Sequence, residues 1–163
     1  MKALGLVLIV AVALGFGFYT SFFYLSELKK IQTAEEIITT LIMGLENGNL
    51  SLREIFRNLK KEDSLSEAFC TIENNLMRGI EPFEKEKADK LGFGHDKETV
   101  ENLWKAFFVL GKSSAAEQTE KMRFYRENIR NRYQVQDEFL HKKAKLSRSM
   151  GLLGGLFLAI ILY

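Results

Sequence analysis

Two stretches without a single charge frame this chain. Residues 3–25 (ALGLVLIVAVALGFGFYTSFFYL) and 149–163 (SMGLLGGLFLAIILY) contain no Asp, Glu, Lys or Arg, and all 21 acidic residues lie between Glu27 and Glu138. A run of this kind cannot sit in water as an exposed helix. It needs lipid or a partner, and its backbone must satisfy its own hydrogen bonds. As a helix the first run rises about 34 Å at about 1.5 Å per residue, enough to cross a hydrocarbon core of about 30 Å. The second rises about 22 Å, short for a crossing unless it thins the bilayer or draws in flanking residues by snorkelling.

Lys2 and the triplet Ala11-Val12-Ala13 raise the rival reading of a cleaved signal peptide. The apolar run continues well past the triplet, so an uncleaved anchor is expected. Tyr19, Phe22, Phe23 and Tyr24 crowd one end of the run, where an aromatic belt belongs. Lys29 and Lys30 follow the first run, and Lys142, Lys143, Lys145 and Arg148 precede the second. Positive charge on these inner flanks predicts a cytoplasmic centre with both ends across the bilayer. The expected divisions are an anchor at 1–26, a helical cytoplasmic domain at 27–146 and a membrane segment at 147–163.

The centre reads as helix. Leu28, Ile31, Ala34, Ile38, Leu41, Ile42 and Leu45 form one apolar stripe at three- and four-residue steps. Asn47-Gly48-Asn49 ends that helix, in a composition suited to a left-handed cap. Three capping boxes follow, Ser51 with Glu54, Ser64 with Glu67 and Ser114 with Glu117. They predict helices at about 51–61, 64–78 and from 114 onward. A helix at 81–91 is expected behind Pro82, and one at 97–111 between Asp96 as cap and Gly111 as stop. From Ala115 no Gly or Pro intervenes until Gly151, so the last helix is expected to run into the apolar tail with helix 27–46 as its lengthwise partner. The fold class is all-α.

Small residues recur every fourth position at Ser147, Gly151, Gly155 and Ala159, and the first run offers Ala11 with Gly15 and Ala13 with Gly17. Such ridges let helix backbones approach closely, so the two apolar segments are expected to pack as an antiparallel pair. The candidate packing residues are Ala11, Gly15, Gly151, Gly155 and Ala159.

Chemistry is harder to find. AFFVLGKS (106–113) matches a loose phosphate-loop pattern, but bulky helical residues stand where that loop needs glycines after a strand. His95 and His141 lack companions at metal-ligand spacing. A lone Cys70 rules out an internal disulfide and is expected in the core. No cofactor, metal or catalytic residue is expected, and a net charge of +2 without a DNA-binding motif argues against nucleic acid. Lys121, Arg123, Arg126, Arg130 and Arg132 have only Glu127 to offset them locally, a candidate docking strip for an acidic partner surface or lipid headgroups. Trp104, Phe107 and Phe108, with Leu103 and Leu110, read as core.

The order of these parts, with LIMGLENGNLSLREIFRNL, LWKAFFVLGKSSAAEQ and KLSRSMGLLGGLFLAIILY, resembles the stage III sporulation protein AB family of endospore-forming bacteria. The likeness covers essentially the whole chain. It is most specific at Leu110, Gly111 and Gln118 and in the SMGLLGGL…ILY tail. Leu50-Ser51 stands where the family often has a proline, and Ser114-Ala115 where it often has an acidic residue. The resemblance implies a membrane channel between mother cell and forespore, with this protein in the outer forespore membrane on the mother-cell side. It also implies a six-helix cytoplasmic domain like that of the inner-membrane platform protein of type II secretion and type IV pilus systems. By that analogy the partners are a stage III sporulation protein AA-type ATPase, other channel subunits and the lipid bilayer. A non-enzymatic platform subunit is the expected function. The alternatives are a small pore or transporter subunit, disfavoured by the missing intramembrane charges, and a nucleotide hydrolase using Lys112.

Overall fold

The computed structural model describes residues 2–46, 51–60 and 65–162. Five α-helices account for most of them: α1 (Lys2–Glu46), α2 (Leu52–Leu59), α3 (Ser66–Met77), α4 (Lys97–Val109) and α5 (Ala115–Leu162), with one 3₁₀ turn at Lys85–Lys87. No strand occurs among the described residues. The chain divides into two compact units, Met1–Leu28 with Val135–Tyr163, and Lys29–Gln134. Helices α1 and α5 therefore each contribute to both units. The division on α5 falls at 134/135, just past Ile129 and Tyr133, the last side chains of α5 in the central core.

The central unit is built on the apolar stripe of α1. Ile31, Ala34, Ile38, Leu41 and Ile42 are buried, and Met122 and Ile129 of α5 join the same cluster, as a lengthwise pairing requires. Phe107 on α4 is the hub. Its ring stacks on Phe56 of α2 at 6.0 Å and meets Phe69 of α3 and Phe83 at 6.4 and 6.5 Å. Burying a side chain of this kind contributes roughly 1.5–3 kcal/mol, and here it does so against α2 and α3 at once. Gly44 lets α1 approach α2, since a Cβ there would lie 2.7 Å from Ile55 Cγ1.

The helix starts follow their caps unevenly. Ser51 and Glu54 form a full capping box on α2: Glu54 N–H donates to Ser51 Oγ at 3.4 Å, and Ser51 N–H donates to Glu54 Oε2 at 2.8 Å. At α5, Glu117 N–H donates to Ser114 Oγ at 3.3 Å. At α3 the N-cap is Leu65, with no side-chain cap bond; Ser64 and the Asn47-Gly48-Asn49 stop lie outside the described residues. Leu65 is buried.

The helix expected at 81–91 is reduced to the single 3₁₀ turn. Phe83, Ala88 and Phe93 are all buried at five-residue steps, a spacing an α-helix cannot place on one face. Two carbonyls that a helix would use internally are taken elsewhere: Asn75 Nδ2 donates to Pro82 O at 3.1 Å and Trp104 Nε1 donates to Phe83 O at 3.1 Å.

The turn between α4 and α5 explains the Leu110–Gly111–Gln118 pattern. Gly111 takes φ +74°, a left-handed conformation that favours glycine. Its N–H donates to the buried Gln118 Oε1 at 3.1 Å, and Gln118 Nε2 donates to Ser113 O at 2.5 Å.

A polar clasp ties the start of α4 to α5. Asp96 caps α4 by accepting from Thr99 N–H at 3.0 Å and Thr99 Oγ1 at 2.7 Å, and Arg132 grips the same carboxylate through Nε at 3.0 Å and Nη2 at 2.6 Å. Burial pushes the Asp96 carboxyl up, but Arg132 and Thr99 together overcome it and hold the group below its ordinary 3.8. A depressed carboxyl pKa stabilises the fold above the unfolded-state value and loses that contribution as pH falls through the folded-state value. Replacing Asp96 by Ala is expected to cost about 2–3 kcal/mol at neutral pH. In denaturant titrations the gap from the parent should stay constant at neutral pH and narrow once pH drops below 3.8.

Candidate membrane helix pair and basic face

In the first unit α1 and α5 run antiparallel, and from Gly17 to Ala13 a four-residue step along α1 matches the four-residue step from Gly151 to Gly155 along α5. Gly17 faces Gly151, Ala13 faces Gly155, and Thr20 faces Ser147. A Cβ added at Gly17 would lie 2.9 Å from Ser147 O and 3.1 Å from Gly151 Cα; one added at Gly151 would lie 2.9 Å from Ala13 O. Backbone therefore touches backbone, and even a methyl group would force the helices apart. Gly155 is buried and Ala159 half-buried on the same face of α5. On α1, however, Ala13 and Gly17 carry the contact. Ala11 and Gly15 are exposed, with nothing within 4 Å of a Cβ built at Gly15. The helical period decides this: with Gly17 at the contact, Ala13 is one turn away on the same face, whereas Ala11 and Gly15 point elsewhere.

Four polar side chains close one end of the pair, and sequence reasoning missed them as a set. Thr20 Oγ1 and Ser147 Oγ lie 2.5 Å apart, Ser147 Oγ donates to Gly17 O at 3.2 Å, and Arg148 Nε donates to the buried Ser21 Oγ at 2.7 Å. The available signal was three small hydroxyl residues in otherwise apolar segments. Arg148, the last charge before the tail, thus meets α1 six residues before Glu27, about 9 Å along the helix. Its guanidinium reaches to 6.0 Å from the Phe18 ring, and Lys143 Nζ lies 5.7 Å from the Tyr24 ring centre. Amphipathic side chains at this level suit a snorkelling belt.

The basic strip on α5 divides into paired and unpaired cations. Lys121 bonds Glu117 at 2.6 Å, Arg123 bonds Glu46 at 2.5 Å, and Arg132 is held by Asp96. Arg126 and Arg130 meet no carboxylate among the described residues, and Arg130 is exposed. Phe124, on the same helix, is 63% exposed. Glu46 and Asp96 neutralise positions far from them in sequence, so counting local charges along α5 overstated the strip.

The remaining sequence candidates resolve simply. The phosphate-loop look-alike spans the end of α4 and a turn; Ala106 and Phe107 are buried, and Lys112 Nζ sits 2.9 Å over the Phe108 ring. Leu103, Phe107 and Leu110 are core, while Trp104 and Phe108 are half-buried and stacked at 4.6 Å. His141 pairs with Asp137 at 3.4 Å, and His95 with Asp89 at 3.2 Å. Cys70 is exposed, not in the core, because Ala68, Phe69 and Ile72 supply the buried face of α3.

These features define an all-helical protein with two helices long and apolar enough to cross a membrane, and a compact helical unit at Lys29–Gln134 to which both helices contribute. The family model for stage III sporulation protein AB matches residues 2–163, and the chain belongs to that family. No curated protein and no solved structure matches the chain.

The register is testable in a chain whose Cys70 is replaced by Ser. Cysteines at Ala13 and Gly155, where the two Cβ positions lie 3.1 Å apart, should cross-link on mild oxidation. Cysteines at Ala11 and Gly155 should not.

Proposed function

We propose that this chain is a non-enzymatic platform subunit of the channel complex between mother cell and forespore. It sits in the outer forespore membrane on the mother-cell side, with residues 27–146 in the cytoplasm, and docks an assembly ATPase of the stage III sporulation protein AA type beside other channel subunits. Membership of the family supports a role at that stage of sporulation. The lysines and arginines flanking the apolar runs support a cytoplasmic centre. Lys112, held over an aromatic ring at a helix end, supports a reading without nucleotide chemistry.

The observation that carries docking is the pair Arg126 and Arg130. Cations already neutralised within the fold, such as Arg123 and Lys121, have little left to offer a partner, whereas these two retain their charge for an acidic surface. In a pull-down the parent chain should capture the ATPase. The double reversal Arg126→Glu with Arg130→Glu should weaken capture about tenfold or more, since like-charge contacts at an interface cost several kcal/mol. Lys121→Ala should change little. Failure of the parent to capture the ATPase, or indifference to the double reversal, would refute this docking face.

Cys70 gives a native topology probe, being the sole cysteine and exposed. A membrane-impermeant maleimide should label it only after cells are permeabilised. Labelling of intact cells would put the helical unit on the opposite side.

A further inference from the structure

The paired apolar helices leave a groove of about 500 Å³ along one side, within the first unit. Its chemistry is graded from end to end. Lys143, Tyr24 and the Thr20–Ser147 hydroxyls stand at one end, while Phe16, Gly154 and Leu158 lie farther along, with no polar side chain among them. We propose that this groove binds one anionic phospholipid, with the headgroup phosphate on Lys143 and an acyl chain laid against Gly154.

Three observations favour a lipid over a third protein helix. Lys143 meets no carboxylate among the described residues; its ammonium lies over the Phe139 ring at 4.3 Å and near that of Tyr24 at 5.7 Å. Neighbouring Lys142 is held by Glu138 at 3.0 Å, so Lys143 is the groove's uncompensated charge. The hydroxyls at the mouth are already engaged with each other and with Gly17 O, leaving Lys143 as the principal donor for an incoming anion. The walls beyond offer alkyl and ring surface only, which matches the polarity of an amphiphile with one charged end. Gly154 borders open space in the groove, since a Cβ built there meets nothing within 4 Å.

That last point separates groove filling from disruption of the pair. Gly154→Leu would occupy the groove, whereas Gly17 and Gly151 hold the helices together and remain untouched. The test uses the full chain in detergent with phosphatidylglycerol or phosphatidylcholine of matched acyl chains, with retained lipid read by native mass spectrometry. The parent should retain one phosphatidylglycerol in preference to phosphatidylcholine. Lys143→Gln should lower that preference about fivefold, the share one lysine contributes near an anionic surface. Gly154→Leu should lower retention of both lipids while cysteines at Ala13 and Gly155 still cross-link. Equal retention of the two lipids, or retention unaffected by both variants, would overturn the proposal. So would a homodimer that Gly154→Leu dissolves with lipid retention unchanged, since a second copy would then be the occupant. The proposal does not rest on the docking face at Arg126 and Arg130, so failure of one leaves the other standing.

Discussion

Close contact between Gly17 and Gly151 is the constraint on which the apolar half of this protein depends. In hydrocarbon there is no hydrophobic force between two apolar helices, because lipid tails are as apolar as leucine. Association then has to come from van der Waals contact and the few available hydrogen bonds. Contact is best where side chains vanish, and here Ser147 O and Ala13 O each stand 2.9 Å from the place a methyl group would take. The hydroxyls of Thr20 and Ser147 supply a hydrogen bond at the same crossing, so packing and polarity fix one register together.

The central unit obeys a different rule, since water supplies the driving force there. Its apolar area is gathered around Phe107, and the segments that cannot be helical are those that must turn side chains into this core at awkward spacing. Residues 83–93 show the conflict plainly: a proline suited to a first helical turn favoured a helix, and three buried side chains at five-residue steps prevented it. Where local preference and burial agree, as at the Ser51 box and the Asp96 cap, the element begins where the residues alone put it.

Charge behaves similarly. Along α5 the strip from Lys121 to Arg132 is a uniform run of cations when seen locally. Glu46 and Asp96 arrive from α1 and from the start of α4 to occupy Arg123 and Arg132, while Arg126 and Arg130 meet no carboxylate among the described residues. The same sorting gives Glu138 to Lys142, while Lys143 at the mouth of the groove meets no carboxylate among the described residues.

What the amino-acid order determined by itself was everything with a short range: two spans without charge, a helical period between them, the caps at Ser51 and Asp96, the left-handed Gly111 and the unbroken course of α5. These follow from neighbours within a turn or two, and hydrogen bonding within a helix is local. What only the tertiary structure decided was which distant residues meet: Ala13 and Gly17 as the contact instead of Ala11 and Gly15, the 3₁₀ turn in place of a sixth helix, the exposure of Cys70, and which arginines of α5 find a carboxylate among the described residues. Both registers on α1 have the same small-residue spacing. The choice between them lies in the geometry of the opposing helix, and no residue near Gly17 in sequence encodes where Gly151 will stand.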